Sequence, residues 1–423
     1  MGLAKTLALE PLTWLGFGRG TASASLPAPI PLATGQLDFA VATSVQDLAR
    51  LEPEWNTLWA GTSGAASLFL SFNWVWHWCQ HFLDSDSSRL VLVTGRRNGQ
   101  LVMVWPLVIE RVLGLKKAGF AGAPVSQYSD VLVDRTNPAH GSWVAEGWSY
   151  VQNQLAPDLV HFRKVRSDSA LAVLLRQIAA KETNVQAAPF IALAGEPSFE
   201  EFDQRFSAKD RKNRRRKRKR LSEAGVVGFR RSSESQAAVA RFTLAMQWKR
   251  EWLDDGSLVS TALADDRFDR FFESILAATD RPVGAEVFEL TLDDRPIAVK
   301  VAITSGAYRG MHLTAYDKAH EKSSPGGLLV EEMIEAGLVD GAETLDFLAP
   351  AYPYKLEWAA GTVAVSDYSF AVTPAGALYD GLYVQRMRPQ MQRLATNGPA
   401  SLRRLAASLV KAGRTPRTNT SSR

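Results

Sequence analysis

Ser323-Ser324-Pro325-Gly326-Gly327-Leu328-Leu329 and, a little downstream, Asp346-Phe347-Leu348 followed by Tyr352-Pro353-Tyr354-Lys355-Leu356-Glu357-Trp358 decide how this chain is read. A β-rich run from Tyr308 to Tyr316 leads into the first segment, and a helix over about 326–339 leads out, with Leu328, Leu329, Met333 and Ile334 on its buried face. Proline near the first helical position and two glycines beside it predict backbone N–H groups that are unpaired and uncrowded at a helix N-terminus. Such an end carries about half a positive charge, so Ser323, Ser324, Gly326, Gly327 and Leu328 form a candidate phosphate cradle. An ordinary capped helix start is the plain alternative. In the second segment a strand carrying an acid ends in a loop that supplies phenols, an ammonium and a further acid, groups able to donate or accept protons. Here the plain alternative is that Asp346 caps a turn, the aromatics pack, and Lys355 and Glu357 stay solvated.

Outward from these segments the chain reads as two stretches with one order of elements. The first has a strand at 38–43, helices at 45–59 and 72–82, and a hairpin of 90–96 and 101–110 about Asn98-Gly99. Strands at 127–133 and 158–165, with helices at 141–155 and 168–181, complete a unit that ends near Leu193. The second has a strand near 226–230, helices at 235–253 and 266–278, and a hairpin of 286–292 and 297–304 about Asp293-Asp294-Arg295. The strand 308–316, the helix at 326–339, and strands at 344–348 and 363–372 follow. The recurrence predicts two copies of one α/β fold, over 37–195 and 196–375, then C-terminal helices over 376–413. Residues 1–36 and 414–423 are poor in core formers and read as tails.

Composition bounds the possibilities. The 423 residues are 46% hydrophobic and 22% charged, the balance of a globular protein with a sizeable core. A lone cysteine, Cys79, excludes an intramolecular disulfide framework and multi-cysteine metal sites, and fits a reducing, cytoplasmic setting. No apolar run is long enough to cross a bilayer, and Glu10-Pro11 breaks the stretch that could pass for an export leader. Basicity is local: Lys209–Arg220 holds ten Lys/Arg and one Asp, +9 against a chain total of +5, which leaves the remainder at −4.

The run SPGGLLVEEMIEAGLVDGAETLDFLAPAYPYKLEWA resembles the signature of GNAT-type acetyltransferases in the group named after the cellulose-biosynthesis protein CelD. DRKNRRRKRKRLSEAG resembles that group's basic helix, FNWVWHWCQHF its Trp-rich helix, and the resemblance spans about residues 40–375. It implies tandem GNAT-like halves with mixed β-sheets flanked by helices, related to Fem-type transferases. It also implies transfer of an acetyl or other acyl group from acyl-CoA, without a metal, to an amine or hydroxyl of a small molecule or a polysaccharide or cell-envelope precursor. The usual GNAT pyrophosphate loop, Gln/Arg-x-x-Gly-x-Gly/Ala, is absent, Ser323–Gly327 standing in its place. An aminoacyl-tRNA donor therefore stays open, as does a degenerate fold serving as an interaction module in polysaccharide assembly. Under acyl transfer the candidate bases are Asp346 and Glu286, and the candidate acids are Tyr316 and Tyr354. Lys355 is a candidate to neutralise a phosphate or orient the acceptor.

Other signals carry less. Lys209–Arg220 lacks interleaved aromatics for base stacking and reads as a solvated basic helix facing an anionic partner, whether tRNA, a lipid surface or coenzyme phosphates. Its approach is a helix start with Ser198 as N-cap and Glu201 reaching back. His77, Cys79 and His81 sit among Trp74, Trp76, Trp78 and Phe82, the pattern of a packed aromatic helix rather than a zinc site. His312 and His320 flank the loop of interest and are second-rank candidates.

Overall fold

The computed structural model describes residues 37–398 except 63, 84–86, 233–234, 256–259 and 279–283. The expected tails, and the C-terminal helices beyond 398, lie outside the described residues. The strands are β1 (Asp38–Ala42), β2 (Ser88–Arg97), β3 (Gln100–Val112), β4 (Leu115–Phe120), β5 (Leu132–Val133), β6 (Leu159–Arg166) and β7 (Lys181–Ala192). There follow β8 (Val227–Ser232), β9 (Gly284–Leu292), β10 (Arg295–Ser305), β11 (Tyr308–Tyr316), β12 (Thr344–Asp346) and β13 (Gly361–Ala371). All join one mixed sheet, in the order β1-β2-β3-β4-β6-β13-β7-β12-β11-β10-β9-β8, with β5 beside β3.

Local chemistry accounts for the hairpins. Asn98 and Gly99 (φ 51° and 79°), like Asp293 and Asp294 (φ 48° and 63°), take the left-handed conformations that a two-residue turn needs to match strand twist. Residues alternate between faces along each strand. On β2, Leu90 and Leu92 join one core while Val91 and Val93 join another; on β10, Val299 and Val301 part from Ala298 and Ala302 in the same way. One face carries a single aromatic layer shared by both ends of the sheet. There Trp74, on the helix Phe72–Phe82, packs edge-on against Phe271 of the helix Asp266–Ala277, 4.8 Å between centroids. The other face holds two separate cores, one under the helices His140–Tyr150 and Ala170–Gln177, the other under the helix Pro325–Val339.

Three expectations are revised. The strand at 127–133 shrinks to β5, because Tyr128 and Asp130 turn their side chains to partners elsewhere: Tyr128 to Asp346, and Asp130 to the N-terminus of the helix at 170. The helix at 168–181 stops at Gln177, and the chain then forms β7, which the sequence reading lacked. Most of its first residues are polar and lie at or near the surface, so they show no apolar alternation; the strand is held by backbone pairing to β13 and β12. Beyond β13, helical structure runs from Pro374 to Asn397, its central stretch Asp380–Met387 a π-helix.

At the middle of the sheet the chain order crosses. β7 follows β6 in sequence yet lies between β13 and β12, while β13, from near the end of the chain, pairs with β6.

Candidate active site

β11 and β12 run parallel, and pair only at Tyr308–Thr344, Arg309–Leu345 and Gly310–Asp346. Past Asp346 the chain leaves β11: Phe347 N–H donates to the Pro189 carbonyl at 2.9 Å, and Leu348 turns with φ 59°. The rest of β11 keeps β10 on one side and faces an opening on the other. A β-bulge sits in the same stretch, since Val301 pairs with Leu313 but Ala302 with Met311, leaving His312 as the extra residue. The bulge exchanges faces, so Leu313 and Ala315 join the shared aromatic layer, and Thr314 and Tyr316 turn toward the helix Pro325–Val339.

That helix starts at the mouth of the opening. Ser324 (φ 53°, ψ 54°) precedes Pro325, and its side chain makes no capping bond. The N–H groups of Gly327 and Leu328 donate to the Ser324 carbonyl at 2.9 and 3.2 Å, and proline has no N–H, so the amide turned outward is that of Gly326. A Cβ at Gly326 would meet Thr314 Cγ2 and Tyr316 Cδ1 at an ordinary 3.7 Å; packing alone does not require glycine there. Ser323 and Leu328 are buried, so their side chains are turned from solvent. Tyr316, the last residue of β11, is half-buried beside Gly326, and burial raises its phenol.

Asp346, at 0% exposure, is a hub. Its carboxylate accepts from the hydroxyls of Tyr128 (2.9 and 3.0 Å) and Tyr308 (2.9 Å), from Arg166 Nη1 (2.9 Å) and from Leu348 N–H (2.7 Å). Burial beside this anion pushes both phenols well above their ordinary range. Arg166 also lines a cavity of about 50 Å³ with Thr62, Gly64, Arg135, Asp168 and Ser169, room for a few waters and not for a coenzyme.

Lys355 Nζ donates to the carbonyls of Phe347, Leu348 and Pro350, each at 2.9 Å, and so closes the loop after β12. Three donated bonds use all the hydrogens of an ammonium, so in this geometry the lysine is charged and holds no spare lone pair. Burial pulls its pKa down to about 8, with Asp346 opposing and Lys249 assisting.

One residue that the sequence reading passed over stands at the floor of the opening. Lys300, on β10 and 1% exposed, donates to Thr314 Oγ1 at 2.8 Å, and its Nζ lies 6.0 Å from the centroid of Phe347. Among the described residues no carboxylate pairs with it. Burial, reinforced by Lys355 and Lys249, pulls its pKa down to about 7. The Tyr354 side chain, 40% exposed, approaches the same hydroxyl, and the burial of its phenol raises its pKa to about 12. The signal for Lys300 was available: a single cation inside the apolar run Ile297–Ile303, on a strand buried on both faces.

The structure thus gathers Lys300, Thr314, Tyr316, Tyr354, Lys355 and the helix start at Gly326 about one opening, with Asp346 buried behind it. Glu286 is elsewhere. It shares the sheet face of Lys300 but lies one same-face position further along, opposite Ala302, where Arg231 and Arg309 hold it, and the sheet separates it from Asp346. His312 Nε2 donates to the Val125 carbonyl at 2.7 Å within the aromatic layer, and burial lowers its pKa to about 4, leaving a neutral ring. His320 lies in the short helical turn Lys318–Ser323. No group of three or more His, Cys, Asp or Glu side chains is arranged to hold a metal ion among the described residues.

The basic helix, Ala208–Ser222, docks through a minority of its cations. Arg218 bonds Glu331 and Glu332, Arg214 pairs with Asp203 and stacks on Phe206 and Trp358, and Arg220 donates to the Lys322 carbonyl just before the cradle. Ser198 caps its approach by accepting from Glu201 N–H. Lys209, Lys212, Arg215, Arg216 and Lys219 stay exposed.

The large mixed sheet flanked by helices places the chain in a class by fold, the mixed α/β, GNAT-like fold. Residues 208–356, which contain the whole opening, match the family described as acetyltransferase (GNAT) domain. The chain is similar in structure to FemX (12% identity, 82% of this chain and 99% of that chain covered, TM-score 0.55). It is also similar to a conserved protein of unknown function from Bacteroides thetaiotaomicron VPI-5482 (10% identity, 79% and 100% covered, TM-score 0.50). A tandem GNAT protein from the clavulanic acid biosynthesis pathway is a further match (15% identity, 80% and 99% covered, TM-score 0.45). No curated protein sequence matches the chain.

Proposed function

We propose that the protein transfers an acetyl or other acyl group from acyl-CoA to an amine or hydroxyl acceptor, as a cytoplasmic member of the CelD group acting in polysaccharide or cell-envelope synthesis. Residues 37–195 and 196–375 are read as two GNAT-like halves, the second carrying the chemistry. The observation that carries this reading is the opening between β11 and β12, with the Gly326 amide at its mouth and Lys300, Thr314 and Tyr354 at its floor. The coenzyme pyrophosphate would lie against the helix start at Ser324–Gly327, with Tyr316 flanking it.

In this reading the three floor residues form a proton store. As the acceptor attacks the thioester carbonyl, its proton passes to Tyr354, that of Tyr354 to Thr314, and that of Thr314 to neutral Lys300. When the C–S bond breaks, the transfer reverses and the proton returns through Tyr354 to the departing thiolate. A lysine near pKa 7 is matched to accepting and releasing a proton at neutral pH. Lys355 and Asp346 serve by holding the loop that carries Tyr354.

Calorimetry with acetyl-CoA tests the donor. Wild-type protein should bind it, and Gly326→Glu, which adds bulk and negative charge at the helix start, should abolish binding while the fold is kept. One observation favours a second reading, an aminoacyl-tRNA donor: five exposed cations on the basic helix, whose Arg220 reaches the Lys322 carbonyl just before the cradle. tRNA binding with a steep salt dependence and no acetyl-CoA binding would select it; binding of neither would select an interaction module.

A further inference from the structure

The helical segment after β13 has an outer face left exposed among the described residues. Leu378, Leu382, Met387, Met391 and Leu394 are between 50% and 65% exposed, and Tyr383 lies among them. At about 100° per residue an unbroken α-helix would set the first two roughly half a turn from the last three. The π stretch Asp380–Met387, which advances by roughly 80° per residue, brings all of them to one side. Asp380 and Val384 are buried on the opposite side, and Gln385 donates to Ser369 Oγ of β13 at 2.8 Å, so the face against the sheet is separately satisfied. Charge identifies the partner. From Gly381 to Arg423 there are nine Lys/Arg and no Asp/Glu, and exposed Arg386 and Arg393 stand close to the apolar stripe. A second copy of this chain would set two all-cationic segments against each other. A bilayer with anionic headgroups takes both features at once, apolar side chains entering the acyl boundary and arginines meeting phosphates. No helix among the described residues is long and apolar enough to cross a membrane.

We propose that the outer face of Pro374–Asn397 docks the protein on the surface of an anionic phospholipid membrane, lying in the interface. Binding is an association of surfaces and involves no covalent step.

Flotation of the full chain with vesicles of phosphatidylglycerol and phosphatidylcholine, compared with phosphatidylcholine alone, tests this. The protein should float with the anionic vesicles, less so as salt is raised. The pair Leu382→Glu and Met391→Glu should weaken binding at least about tenfold with circular dichroism unchanged, since both positions are exposed. The pair Lys212→Glu and Arg216→Glu, on the other basic helix, should leave most of it. Absence of binding to anionic vesicles overturns the proposal, as does binding that survives the first pair and is lost with the second. A concentration-dependent dimer in light scattering, abolished by the first pair without any vesicle binding, assigns the face to a second copy instead.

Discussion

A buried ammonium with one hydrogen bond and no carboxylate costs stability, and Lys300 is such a group. Its pKa near 7 lies below the ordinary 10.5, so between these values the unfolded chain binds more protons than the folded one. Stability contributed through this residue therefore rises with pH across that window. Lys300→Met should raise the unfolding free energy at pH 7 by about 1 kcal/mol or more, and flatten that rise in a series of urea titrations. The same variant should lower turnover about 10²-fold or more and remove an apparent pKa near 7 from the pH profile of kcat/KM, which in the wild type rises through that pH. Asp346, in contrast, is fully partnered, accepting from Arg166, from two phenols and from the Leu348 N–H. Asp346→Ala leaves Arg166 with Asp168 alone and strands the buried hydroxyls of Tyr128 and Tyr308, and should cost about 3–5 kcal/mol in denaturant unfolding. At this scale the sequence offered Asp346, Tyr354 and Lys355 through their clustering along the chain, and Tyr316 only as a candidate acid under the acyl-transfer reading. It did not offer Tyr128 and Arg166, which reach Asp346 from 218 and 180 residues away.

Helices and strands locate these residues. The helix Pro325–Val339 was legible from its proline, glycines and apolar spacing, and the hairpins from Asn98-Gly99 and Asp293-Asp294, because each signal lies within a few residues of the structure it causes. The bulge at His312 was not legible, since it follows from the register between β10 and β11 and not from any residue on its own. The basic helix was seen, but which of its cations dock was not. Arg218 bonds two glutamates on the neighbouring helix, half-buried, and Arg218→Ala should destabilise by about 1–2 kcal/mol in thermal or urea unfolding. Lys212→Ala, at an exposed position, should change stability by less than about 0.5 kcal/mol.

Across the whole molecule the two ends of the sheet are tied by crossed strands and by the shared layer of Trp74, Phe271 and Phe272. Residues 37–195 expressed alone would lack β13 beside β6 and both neighbours of β7, and should give no cooperative unfolding transition in urea, whereas the full chain should unfold in a single step. The sequence by itself determined the α/β class, the strands other than β4 and β7, the longer helices, and the segments from Ser323 and from Asp346 that frame the opening. Hydrophobic period, turn residues and helix ends act locally, and local causes can be read along the chain. Tertiary structure alone decided that β7 and β13 meet at the centre, that Asp346 is saturated by distant partners while Glu286 faces the other way, and that Lys300 and Tyr354 approach one hydroxyl. These depend on which strands become neighbours and on how burial shifts a proton, and neither is set by residues adjacent in sequence.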